Sequence, residues 1–131
     1  MEITTRETKY CQMVRDVLGR SGHATNSEIV ETLRADGVMV SDTTIHRVTK
    51  RLTERGVIAL APSTRDGAMR YDAQVEQHHH FVCETCETLC DILPDEQTEQ
   101  AISLFRQRGS GCDMSGTVTI TGMCKKCQKG V

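Results

Sequence analysis

The sequence predicts an α+β chain in two parts, a winged-helix domain over residues 1–73 and a small α/β domain over residues 78–131, joined by a hinge at 74–77. Three observations carry that prediction. Three apolar stripes of helical period precede Gly56, strand-like text flanks a Pro- and Gly-containing turn after it, and beyond Ala73 the composition shifts to His and Cys.

Val14, Val17 and Leu18 recur at helical spacing within residues 5–20 and stop at Gly19-Arg20-Ser21-Gly22, which predicts a first helix. Thr25 with Glu28 three positions later is a capping-box pattern. The stripe of Ile29, Val30 and Leu33 that follows ends before Gly37 and predicts a second helix, with His23 at its start. Ser41 and Asp42 are good N-caps for a third, in which Ile45, Val48 and Leu52 form the apolar face until Gly56. Val57 to Leu60 and Met69 to Tyr71 read as two strands around Pro62-Ser63-Thr64-Arg65-Asp66-Gly67. Three helices followed by a hairpin is a winged helix, and its second and third helices make a helix-turn-helix.

In the second part, His79 to Val82 and Thr88 to Ile92 read as strands around a tight turn at Cys83 to Cys86. Pro94 suits a helix start, and Ala101, Ile102, Leu104 and Phe105 predict a buried helix face before Gly109. Thr117 to Thr121 alternates as a half-buried strand does.

The chain has 131 residues with no Trp, two Tyr and two Phe, so the smaller part needs support beyond burial: a metal, a disulfide or a partner subunit. A net charge of -2 gives no overall attraction to nucleic acid, so any DNA contact must come from a local basic surface. Met1 to Thr5 lack a signal-peptide pattern, and no apolar run approaches the roughly 20 residues that span a bilayer, so a cytoplasmic protein without membrane association is expected. Seven Cys, an odd number, then favour metal or redox chemistry over a disulfide framework.

Cys83-x-x-Cys86 and Cys124-x-x-Cys127 each present two thiolates from one turn, and together they predict a closed, structural zinc site. Cys11 and Cys112 read as plain core or surface residues, and Cys90, beside Asp91, can modulate a nearby site. In His78-His79-His80, an extended backbone turns His78 and His80 to one face and His79 to the other. Asp72, Asp91 and His23 can complete a set of imidazoles and carboxylates suited to ferrous iron, manganese or zinc; ordinary surface residues are the alternative. On the third helix, Arg47 can read guanine edges, while Thr43, Thr44, Lys50 and Arg51 can hold phosphates; a merely solvated face is the alternative there. No nucleophile or general base pairs with the His cluster in a recognisable motif, so an enzyme is not expected.

Thr44-Ile45-His46-Arg47, with Leu52 and Gly56-Val57-Ile58, resembles the recognition helix and wing entry of the ferric-uptake-regulator family. His78-His79-His80-Phe81-Val82-Cys83-x-x-Cys86 resembles that family's hinge and zinc motif. The resemblance implies a homodimeric, metal-dependent repressor of inverted-repeat operators in double-stranded DNA, with His23, Asp72, His78, His80 and Asp91 as sensory ligands. Asp72 and Asp91 are similar to the peroxide-sensing branch, in which bound ferrous iron reacts with hydrogen peroxide and a ligand imidazole, here His23 or His78, gains oxygen. An iron- or zinc-responsive uptake regulator is the alternative within the family. His46 stands where the family usually has Tyr, and Gln77 and Gly116 stand where a further metal site would have His.

Overall fold

The computed structural model describes residues 6–109, 111–112 and 116–129. Met1 to Thr5, which carry the expectation about the N-terminus and the predicted first residue of the first helix, lie outside them. The chain divides into two compact units, Met1–Val75 and Glu76–Val131.

The first unit runs α1 (Arg6–Ser21), β1 (His23–Thr25), α2 (Asn26–Ala35), α3 (Asp42–Glu54), β2 (Ala59–Ala61) and β3 (Arg70–Asp72). Its core joins the three predicted stripes, with Val14, Val17 and Leu18 packed with Ile29, Val30, Leu33, Ile45, Val48 and Leu52. The capping box forms as read: Glu28 N–H donates to Thr25 Oγ1 at 3.2 Å, and Thr25 N–H donates to Glu28 Oε1 at 2.9 Å. Ser41 caps α3 by accepting from Thr44 N–H at 3.2 Å. Both helices end at a glycine of positive φ, Gly37 (86°) and Gly56 (70°), a conformation that a Cβ would strain.

Two sequence expectations change here. Val57 and Ile58 are not strand: Val57 N–H bonds back to Leu52 O at 2.9 Å and Gly56 N–H to Thr53 O at 3.0 Å, closing α3 in a Schellman motif. Ile58 thereby becomes a plug in the core, 3% exposed, and β2 starts only at Ala59. The second change is an extra strand. His23 sits on β1, just before α2, and the sheet has the order β1-β3-β2, with His23 and Ala59 both opposite Asp72.

The second unit runs β4 (His79–Cys83), β5 (Leu89–Ile92), α4 (Glu96–Gln107), β6 (Thr119–Gly122) and α5 (Lys125–Gln128). β4 is central, antiparallel to β5 and parallel to β6. The helix begins after Pro94 on Asp95, which accepts from Thr98 N–H at 2.8 Å; that bond holds the Asp95 carboxyl below its ordinary pKa. The predicted apolar faces of α4 and β6 are only partly buried. Ile102 is covered, but Leu104 and Phe105 are 64% and 72% exposed, and Ile120 is 53% exposed. A unit this small has no second layer of its own to set against both surfaces. What it buries instead is His78, His79, His80 and Cys83.

Candidate metal centres and nucleic-acid interface

Cys83 ends β4, Cys86 closes the turn after it, Cys124 caps α5 and Cys127 lies within α5. All four sulfurs lie within 4.8 Å of one another. Cys83 Sγ is 3.7 Å from Cys127 Sγ, and Cys86 Sγ is 3.8 Å from Cys124 Sγ. Those separations match the edge of about 3.8 Å of a tetrahedron with bonds of about 2.3 Å, so the donor set fits a zinc-sized ion. The backbone N–H groups of Cys124 and Cys86 both point at Cys83 Sγ, at 3.5 Å. These hydrogen bonds lower the Cys83 thiol to about 6, the Cys124 N–H being the larger influence. The Thr88 hydroxyl, 2.9 Å from Cys86 Sγ, lowers that thiol too. Cys127, beside Cys124 and desolvated, is pushed up to about 12. Thr88 was not singled out in the sequence, although a hydroxyl two residues after a ligand Cys is a local signal for a thiolate donor.

The His and Asp candidates form one group in each unit. In the first, the β1–β3 pairing sets His23 Nε2 3.3 Å from Asp72 Oδ2. Asp72, 2% exposed, also accepts from Gln74 N–H at 2.8 Å through Oδ1. In the second unit, Asp91 lies opposite His80 on β5, and its Oδ1 is 3.1 Å from His78 Nε2 and 3.5 Å from His80 Nε2. The two rings are 4.4 Å apart at a tilt of 55°. His78 Nδ1 lies 2.7 Å from the Glu76 carbonyl, which can only accept, so the proton sits on Nδ1. In the neutral ring this turns the Nε2 lone pair toward a carboxylate oxygen. Two electron-rich atoms then face each other, and a cation between them satisfies both.

His79 turns to the opposite face and is engaged with protein: Nδ1 accepts from Val118 N–H at 3.0 Å, and Nε2 lies 2.9 Å from Glu99 Oε1. Glu99, in the first turn of α4, is a partner the sequence reading missed; its position one turn after the Asp95 cap was the available signal.

On α3, Thr43, His46, Arg47, Lys50 and Arg51 are exposed, while Ile45, Val48 and Leu52 hold the helix to the core. Thr44 is half-buried, and its hydroxyl accepts from Ser41 Oγ at 2.9 Å, so it belongs to the helix cap as well as to the outer surface. With Arg47, Lys50 and Arg51, this face has local positive charge although the whole chain is slightly acidic.

The model of the Ferric uptake regulator family matches residues 2–113 of this chain. The peroxide-responsive repressor PerR of Staphylococcus aureus is 26% identical over 117 residues, spanning 88% of this chain and 77% of that protein. Among solved structures, the Helicobacter pylori ferric uptake regulator Fur, described as having three functional metal-binding sites, has a TM-score of 0.71 at 23% identity, with 94% of this chain and 84% of that one covered. The Campylobacter jejuni peroxide stress regulator has a TM-score of 0.71 at 21% identity, with 93% and 91% covered. With the family match running through both units, from the three-helix core to α4, this chain belongs to the ferric uptake regulator family.

Proposed function

We propose that this chain is a dimeric, metal-dependent transcriptional repressor of the cytoplasm that senses peroxide. Its sensory ion, ferrous iron or manganese with zinc as a further occupant, is held by His23 and Asp72 from residues 1–73 and by His78, His80 and Asp91 from residues 78–131. Cys83, Cys86, Cys124 and Cys127 hold a structural zinc. The observation that carries the reading is the arrangement at Asp91, where two imidazole Nε2 atoms converge on one carboxylate oxygen and the His78 proton is held on the other ring nitrogen. Oxygen and nitrogen donors without thiolate suit iron and manganese.

The ion acts as a cross-link that favours one disposition of two domains about a hinge at 74–77. That disposition sets two recognition helices for an inverted repeat in double-stranded DNA, at a coupling free energy of about 1–3 kcal/mol. Arg47 and His46 contact base edges; Thr43, Thr44, Lys50 and Arg51 hold phosphates. The exposed Leu104, Phe105 and Ile120 support homodimerisation through the second unit. If held there, ferrous iron would supply redox chemistry with hydrogen peroxide whose net two-electron result would be one oxygen added to His23 or His78 and one water released; manganese would not supply it.

Mass spectrometry of the iron-loaded and manganese-loaded proteins after peroxide, read beside a gel-shift assay, tests the proposal. One added oxygen on a peptide holding His23 or His78, in the iron form alone and together with loss of DNA binding, is expected. An unmodified iron form that stays bound to DNA refutes peroxide sensing and leaves an iron- or zinc-responsive regulator.

A further inference from the structure

Asn26, the first residue of α2, reaches across to α3. Its Oδ1 accepts from Thr49 Oγ1 at 2.8 Å, and its Nδ2 lies 3.3 Å from Nδ1 of His46. Thr49 is fully buried, and its hydroxyl also lies 3.0 Å and 3.1 Å from the Ile45 and His46 carbonyls, so the far end of this chain of contacts is anchored in the core of α3. With the hydroxyl proton on Asn26 Oδ1, the amide presents its N–H to His46. An amide N–H only donates, so His46 Nδ1 must accept, and a neutral ring then carries its proton on Nε2. The other edge of His46 is exposed on the same helix face as Arg47 and Lys50, where it also rims, with Met69 and Tyr71, a cleft of about 290 Å³ between α3 and β3.

We infer that Thr49 and Asn26 position His46 as a base reader that offers a single Nε2–H donor to an acceptor on the major-groove edge. This inference rests on the DNA-binding reading of α3 and makes Asn26 a positioning residue for specificity. The shared chemistry of the target is a hydrogen-bond acceptor: the N7 of a purine, the O6 of a guanine or the O4 of a thymine. A cytosine edge, which presents an N–H donor there, is rejected. One such bond discriminates by about two- to tenfold.

The test uses this 131-residue chain loaded with zinc and manganese, its His46→Ala and Asn26→Ala variants and the double variant, each selected against a library of random-sequence duplexes. Alanine is tolerated at Asn26 because the Thr25 cap does not depend on it. One base-pair position should lose its preference in His46→Ala and part of it in Asn26→Ala, and the double variant should match His46→Ala alone, since Asn26 acts through His46. At that position, 7-deazapurine, 6-thioguanine or 4-thiothymine duplexes distinguish the three acceptors by the one that weakens binding. In the free protein, imidazole nitrogen resonances should place the proton of His46 on Nε2, and Asn26→Ala should remove that bias. A proton on Nδ1, additive effects of the two variants, or an unchanged preference in His46→Ala overturns the inference and leaves the DNA-binding reading standing. A wild-type chain that selects no duplex overturns both.

Discussion

Replacing Asp72 by Ala separates the two roles assigned to that carboxylate, a strap within the first unit and a metal ligand. Asp72 holds Gln74 N–H at 2.8 Å and His23 Nε2 at 3.3 Å, both on a side chain 2% exposed. Hydrogen bonds to a charged acceptor contribute about 1.5–3 kcal/mol each, and release of the desolvation cost of the buried carboxylate offsets part of that. The lower end applies, about 3 kcal/mol for the two. For a unit of this size, Met1–Val75, each kcal/mol moves Tm by about 4–8 °C. Asp72→Ala should therefore lower the helical melting transition in chelator by about 12–24 °C, and Asp72→Asn, which keeps an acceptor for Gln74, by about half as much. Both variants should also weaken manganese binding in calorimetry by at least about tenfold, the scale of disturbing even an outer partner of a ligand. An Asp72→Ala protein that melts like the wild type refutes the local energetics. Wild-type manganese affinity in Asp72→Asn, with a lowered Tm, leaves a strap and removes the ligand.

Four further outcomes are expected. Lys50→Ala should weaken DNA binding by a similar factor on all sequences and reduce the slope of log affinity against log salt by about 1, read by fluorescence anisotropy, whereas Arg47→Ala should relax preference at a guanine. Phe105→Glu should turn a dimer into a monomer in analytical ultracentrifugation, because it places a charge on an apolar side chain 72% exposed in the single chain. Loading the metal-free four-Cys site near pH 7.5 should release fewer than four protons, one per sulfur, because Cys83, lowered to about 6, is already thiolate while Cys127, pushed up to about 12, keeps its proton. Its sign follows from those two groups: affinity rises with pH as the remaining thiols ionise, and calorimetry in buffers of different ionisation enthalpy measures the proton count.

Where local physics decides an element, it was legible. The capping box at Thr25 and Glu28, the Ser41 cap and the glycine stops at Gly37 and Gly56 are short-range, and each sits in the fold as the sequence has it. β1 was not legible, since three residues, His23–Thr25, carry no period of their own and become strand only by pairing with β3. The same pairing accounts for His23 beside Asp72, a contact between residues far apart in sequence. Val57 and Ile58 misled because β-branched residues after a glycine read as strand, yet here they seal a helix end. The apolar pattern of α4 was real, but pattern alone does not say whether a face is covered by the same chain. The sulfur cluster was the easiest to see, because two Cys-x-x-Cys turns define it almost without reference to the fold; Thr88 is equally local, two residues from Cys86, whereas the partnership of Glu99 with His79 emerges only once helix and strand are set side by side.

The two aspartates of the proposed sensory site ride on unlike supports. Asp72 sits on the middle strand of its sheet, laced to neighbours along both edges, while Asp91 sits on an outer strand tied along one edge. Backbone amides near Asp72 should thus resist solvent exchange more than those near Asp91 in either metal state. Taken unit by unit, Asp72 stands on the stiffer support and Asp91 on the more yielding one.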